Sequence, residues 1–370
     1  MLLLSGCKPR EFPQYPANYR EYAYVTNGGS GTVTAIDVVN VRVDREIAVG
    51  QHPVALAASP TRNEIYVVNA GPAAGTGSLA VIDAERNAVT ATIPLRRGPV
   101  SIDVDSAGAL AYVANSGSNS VSIVDLKARR EVGQLGTGEQ PGAAVLSPDG
   151  RTLVVANRGG SSVTIFDART RALRAVFESC PGAGEPVILP DSSKTFVPCA
   201  GGHQVLSIAL ARAEDHPAQP DRLEARMDVG RAPADLALKP DGGELFVCNA
   251  ASDSISEVVT STNDVGGAYM MGDDPVRGLV SRDNTLLYVA NQRSQYVTIY
   301  SIDDGKRIGS VRVGDGPSAL AFSANGYLLF AVDSRSGDVA VVRTGLQSLF
   351  TLLPAGREPN AIVDKAFKVQ

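Results

Sequence analysis

Histidine is scarce in this 370-residue chain: His52, His203 and His216 are the only three, which excludes a histidine-rich metal centre. Cys-x-x-Cys-His for covalent haem and His-Glu-x-x-His for a zinc hydrolase are missing. So are a phosphate-binding loop, a Gly-x-Ser-x-Gly nucleophile elbow and any Cys/His set at zinc spacing. No stretch approaches the roughly 20 apolar residues that cross a bilayer as a helix. Neither sign of charge dominates, since 34 Lys and Arg against 39 Asp and Glu leave a net charge of −5. A mildly acidic surface repels a phosphate backbone, so no nucleic-acid partner is expected. Amphipathic helix patterns are lacking as well.

What the chain does have is a repeated phrase: aromatic, valine, any residue, asparagine. It reads Tyr24-Val25-Thr26-Asn27, Tyr66-Val67-Val68-Asn69, Tyr112-Val113-Ala114-Asn115 and Tyr288-Val289-Ala290-Asn291. Weaker copies end at Asn157, Cys199, Asn249 and Asp333, and successive fourth positions lie 42, 46, 42, 42, 50, 42 and 42 residues apart. A period of this length marks an array or a propeller. Each unit holds four strand signals: the repeated phrase, an alternating run such as Ser120 to Asp125, a run ending in glycine, and a run opened by proline. The asparagines read as turn formers that bond their own backbone two residues on. The opening prolines are Pro53, Pro99, Pro141, Pro186, Pro233, Pro275, Pro317 and Pro359. The chain is therefore expected to be all-β, a single β-propeller of eight four-stranded blades, with seven as the alternative. Its last strand, Pro359 to Asp364, completes the N-terminal blade and closes the ring.

On these repeats the chain resembles the YVTN-repeat β-propellers over about residues 20–365. That family is similar in architecture to lactonase-type propellers and to the haem d1 domain of cytochrome cd1. The resemblance implies an exported or cell-surface protein and carries no activity with it. Leu4-Ser5-Gly6-Cys7 resembles the lipobox of bacterial lipoproteins, which implies a lipid on Cys7, although no basic or full apolar leader precedes it. Residues 1–19 then form a lipoprotein-type N-terminus and tether, and residues 20–370 the propeller domain. The expected location is periplasmic or cell-surface, lipid-anchored, with the membrane met through the anchor alone.

The proline-led strand of each blade should line the channel, so the residues before each proline form a rim at its mouth. The candidate binding residues are His52, Arg97, Gln140, Glu185, Arg231, Asp274, Asp315 and Glu358. Varied side chains on a fixed scaffold are where binding usually resides, and a solvated polar rim is the plain alternative. Arg158, Arg293 and Arg335 follow the asparagine strands and would draw an anion to the same face. One copy breaks the pattern: Phe196-Val197-Pro198-Cys199 puts proline in an interior strand, where it removes a ladder bond. Cys199 and Cys180 sit on one face and suit a disulfide, with two free thiols or a metal or haem ligand as alternatives. Cys248 reads as a small core residue, and His203 lies near Cys199. The same unit carries an insertion, Ala211 to Asp221, placed on the opposite face.

Three functions fit. The first is a cell-envelope binding scaffold, acting through the mouth loops on a protein, glycan or small molecule. It is a monomer without catalysis, cofactor or resident metal. The second is a lactonase-like hydrolase using Glu185, Asp274, Glu358 and His52, with or without a divalent cation. The third is a haem or redox propeller in which His52 is the rim ligand.

Overall fold

The computed structural model describes residues 13–73, 75–212 and 219–369. The lipidation candidate Cys7 and the heart of the insertion, with His216, lie outside the described residues. The strands assemble into eight four-stranded antiparallel sheets, the blades of a closed ring. Eight, not seven, is the count. Blade 1 takes Tyr19–Asn27, Thr32–Asp37 and Arg42–Ala48 from the start of the chain and its innermost strand, Pro359–Lys368, from the end. Their register runs from Tyr19↔Lys368 to Asn27↔Pro359, so the two ends of the chain lock the ring.

Blades 2 to 8 follow in chain order, each beginning on the channel. Their inner strands are Pro53–Ala58, Pro99–Val104, Pro141–Leu146, Val187–Ile188, Pro233–Leu238, Pro275–Val280 and Pro317–Phe322. The core lies between blades. Tyr24, Val33 and Ile47 of blade 1 pack on Ile65, Val67 and Ile82 of blade 2, all buried. Each such side chain contributes about 1.5–3 kcal/mol relative to exposure, which makes every blade dependent on its neighbours.

The asparagine of the repeat has a structural role other than the expected one. Asn27, Asn115, Asn157, Asn249 and Asn291 are fully buried, and their amides reach across to the third strand of the blade. Asn157 Nδ2 donates to Thr164 Oγ1 at 2.8 Å, Asn291 to Thr298 at 2.9 Å and Asn249 to Ser256 at 3.0 Å. Backbone bonds two residues away occur only backwards, at Asn115 and Asn291. The amide thus ties strand to strand rather than starting a loop. A glycine of the preceding blade lies against the side chains of Asn27, Asn69, Asn157, Asn249 and Asn291, though not against Asn115. A Cβ on Gly50 would come within 2.7 Å of Asn69, one on Gly230 within 2.5 Å of Asn249, and one on Gly356 within 2.7 Å of Asn27. At these five places the glycine before the proline and the asparagine of the next phrase form one inter-blade joint.

Blade 5 departs from this plan where Pro198 stands. Without an N–H, Pro198 cannot donate to an inner strand. The inner strand shrinks to Val187–Ile188, paired with Phe196 and Thr195 only. In place of a ladder, Gly184 N–H donates to the Pro198 carbonyl at 2.9 Å, and Cys199 meets Ala183 in an isolated bridge. Cys180 and Cys199 are joined by a disulfide, with Cα atoms 4.8 Å apart.

Candidate functional site

Seven of the eight residues that precede the inner-strand prolines have left-handed backbone: His52, Gly98, Gln140, Ala232, Asp274, Gly316 and Glu358. These turns are braced by the next blade. The carbonyls of His52, Gln140 and Asp274 accept the N–H groups of Ala70, Arg158 and Gln292 at 2.8–3.0 Å. Backbone N–H groups of Arg97, Arg231 and Asp315 donate to the hydroxyls of Ser118, Ser252 and Ser336. The acids Asp274 and Asp315 pair with Arg293 at 3.3 Å and Arg335 at 3.1 Å. Two of the three arginines that follow the second strands are thus engaged by rim acids.

Glu185 is the exception. The shortened inner strand of blade 5 frees it from the left-handed turn, and its carboxylate reaches Arg277 of blade 7 at 3.4 Å. Arg277 also donates to Asp235 of blade 6 at 3.0 Å, and Asp235 accepts the Gly278 N–H at 2.8 Å. Asp235 is the main reason that the Arg277 guanidinium holds its proton more firmly than an ordinary arginine. Further down the wall, Asp103 accepts the N–H groups of Leu146 and Val104, and burial raises its pKa.

Two cavities meet at Glu185. One, of about 330 Å³, fills the channel between apolar walls that include Val54, Ile102, Leu320 and Ile362, with Ser101, Arg277 and Asn360 among the polar groups. The other, of about 390 Å³, opens at blade 5 over Gly142, Gly182, Ala183, Gly184 and Ala200, with Arg158 at its side. Gly142 and Glu185 line both. The opening exists because the disulfide and Pro198 hold back the strand that would otherwise close it. His203 is tied down, its Nδ1 accepting the Ala232 N–H at 3.1 Å. Cys248 is a buried core residue whose thiol is pushed well up by burial. A third cavity, of about 300 Å³, lies away from the mouth between blades 7 and 8 beside Tyr288 and Phe322, and contains none of the rim residues.

Reading the rim alone misses Asp235 and Arg277. A signal for them exists: two residues after the proline, other blades carry Ala55, Ser101, Ala143, Ala319 and Ala361, and only blades 6 and 7 place a charge there. Among the described residues no group of three or more His, Cys, Asp or Glu side chains is arranged to hold a metal ion.

A family model described as a lactonase, 7-bladed beta-propeller, matches residues 203–308. The solved structures it resembles include dihydro-heme d1 dehydrogenase NirN in complex with DHE, at 14% identity and a TM-score of 0.75, over 97% of this chain and 77% of that one. The likeness is one of fold: a closed β-propeller. Apo AztD from Citrobacter koseri is similar over 95% of this chain and 99% of its own, at 14% identity and a TM-score of 0.69. Kuenenia stuttgartiensis hydrazine synthase covers 79% of the chain and 95% of its own, at 21% identity and a TM-score of 0.60. No curated protein sequence matches the chain. Identities this low speak for the fold alone. The matched segment spans only part of the ring, so the eight blades of this propeller stand beside a family description of seven.

Proposed function

We propose that this propeller is a cell-envelope binding protein that holds a small organic acid at the channel mouth. The observation that carries the reading is the turn of Glu185 out of the rim and onto Arg277, at the point where the two cavities join. A carboxylate-bearing ligand would take over the place of Glu185 on Arg277, a bidentate geometry that suits a guanidinium. Arg158 would supply a second cation from the side cleft, and the valines, leucines and isoleucines of the wall would take the hydrocarbon part.

Two opposite effects test this. Thermal melts and calorimetry against a panel of short mono- and dicarboxylates should show binding by the wild type. Glu185→Gln removes the internal competitor and should tighten binding, while Arg158→Ala should weaken it about tenfold, or about 1.4 kcal/mol. Affinities that ignore both substitutions would sink the proposal.

A haem-type ligand does not fit the donors of the channel cavity, because among the described residues that line it there is no histidine, methionine or cysteine to ligate iron. His52 stands exposed on the rim with its backbone held in the turn. The disulfide supports an oxidising compartment, in keeping with export. A fatty-acid analogue fed to producing cells should label the wild type and not Cys7→Ala; equal labelling of the two would remove the anchor from the proposal.

A further inference from the structure

The cavity of about 300 Å³ between blades 7 and 8 shares no residue with the mouth or the channel. It opens at the end of the blades opposite the rim, where the inner strand of blade 8 stops at Phe322 and the second strand of blade 7 starts at Leu286. Leu286, Tyr288 and Phe322 form its apolar wall, and the two aromatic rings meet nearly edge to face at 5.6 Å. Gly326 and Gly345 leave the cleft open, since a Cβ on either would meet nothing within 4 Å. A dry cavity of about 150 Å³ already takes benzene, so this one has room for a ring with a short substituent.

Most polar side chains of the wall are engaged within the protein. Ser281 donates to Asp283 at 2.5 Å, Arg282 to the Ala324 carbonyl, Asn325 to the Tyr15 hydroxyl at 3.0 Å and Thr344 to the Gly326 carbonyl at 2.8 Å. The Tyr288 hydroxyl is the exception. Tyr288 is 1% exposed, and among the described residues its hydroxyl has no hydrogen-bond partner. Elsewhere the next blade attends to this position. Tyr24 donates to Asn87 of blade 2 at 2.6 Å. Tyr66 donates to Glu64 at 2.8 Å, which Arg129 of blade 3 pairs, and Arg171 of blade 4 stands near Tyr112. In blade 8 the same left-handed turn position holds Gln347, whose amide instead lies beside Gly309 on the outer strand of blade 7. The cleft stands where that cap would be. Burial, and then the nearby Asp283 carboxylate, push the Tyr288 pKa up to about 12, so the hydroxyl stays a donor.

We propose that the cleft between blades 7 and 8 binds a neutral single-ring molecule that offers one acceptor oxygen, such as a ketone or ester carbonyl, to the Tyr288 hydroxyl. Such an oxygen removes the penalty of a buried hydroxyl without a partner. The ring takes the apolar wall of Leu286 and Phe322. Arg282 and Asp283 stand exposed beside the cleft with one charge of each sign, so neither an anion nor a cation is preferred. This site is independent of the carboxylate reading of the channel mouth.

Calorimetry with acetophenone, toluene and benzoate tests it. The wild type should bind acetophenone about tenfold more tightly than toluene, the difference one hydrogen bond makes. Tyr288→Phe should abolish that difference by weakening acetophenone and sparing toluene. Gly345→Leu, whose side chain enters open space, should end the binding of both. Both variants should melt where the wild type does, because neither loses a contact of the free protein. Benzoate binding that falls in Arg158→Ala and persists in Gly345→Leu belongs to the mouth and leaves the cleft to neutral ligands, as expected. Benzoate binding lost in Gly345→Leu would make the cleft an anion site and overturn the proposal. Acetophenone that does not bind, or that binds both variants as it binds the wild type, overturns it too.

Discussion

Replacing Cys180 and Cys199 together by alanine lowers the unfolding free energy by about 3 kcal/mol, the stabilisation expected from closing a loop of this size. The bridge spans a sequence separation of 19, and both sulfurs are buried. Its importance comes from what blade 5 lacks. In regular blades an asparagine amide holds the second strand to a hydroxyl seven residues on, and a glycine of the blade before packs against it. Blade 5 has Cys199 at the asparagine position and Leu206 where the hydroxyl should be. Its inner strand is cut to two residues, so the ladder cannot compensate. The disulfide fastens the segment 180–184 to the second strand in place of both. Guanidinium melts with and without reductant measure the effect: reductant should lower the wild type and leave the double variant unmoved. Coincident melts of the two proteins without reductant would show that the bridge carries no load.

The ring itself was legible because each blade is a local object, with its four strands adjacent in sequence and its opening proline at a fixed place. Even the closing strand followed from counting units. The asparagine was misjudged for a geometric reason: its hydroxyl partner lies seven residues on, across a turn, where a reading of local turns does not look. Thr34, Ser122, Thr164, Ser256 and Thr298 stood at that spacing throughout. Glu185 was legible as one of eight rim residues and not as the exceptional one. Its exit from the left-handed turn depends on Pro198 of the next strand, which removes a donor, and its partner lies 92 residues away in another blade. Such a relation follows from the ring and not from the repeat.

Asp333→Asn with Asp338→Ser should raise stability at pH 8 by about 3 kcal/mol and change it little near pH 4. Blade 8 is the one blade with acids both at the asparagine position and five residues on, where Ser162 and Ser254 stand in blades 4 and 6. Asp333 is fully buried and takes the Gly314 N–H at 2.9 Å on one oxygen. The other oxygen, and one of Asp338, are buried with no other hydrogen-bond partner. Burial first, and then the carboxyl of Asp338, push the pKa of Asp333 up to about 8, so the two share a proton. A second acid pair sits at the ring closure, where Asp364 is pushed up to about 9 by burial and by Glu21. Glu21 is itself held by the Tyr19 hydroxyl and by the Ala324 N–H. Both folded values lie above that of an unfolded aspartate, so the folded protein keeps protons that the unfolded chain releases between about pH 4 and pH 8–9. Stability from this source is fully present below about pH 4 and is lost as pH rises through the folded values. Counting about 1.4 kcal/mol per unit, and half the raise because two acids share one proton, gives the figure of about 3 kcal/mol for the blade 8 pair. The amide and hydroxyl rebuild the pair found in blades 4 and 6, Asn157 with Ser162 and Asn249 with Ser254, which needs no proton. Unfolding measured from pH 4 to 9 should therefore slope downward in the wild type and less steeply in the double variant, the remaining slope belonging to Asp364. Parallel curves for the two proteins would mean that the blade 8 carboxyls do not share a proton.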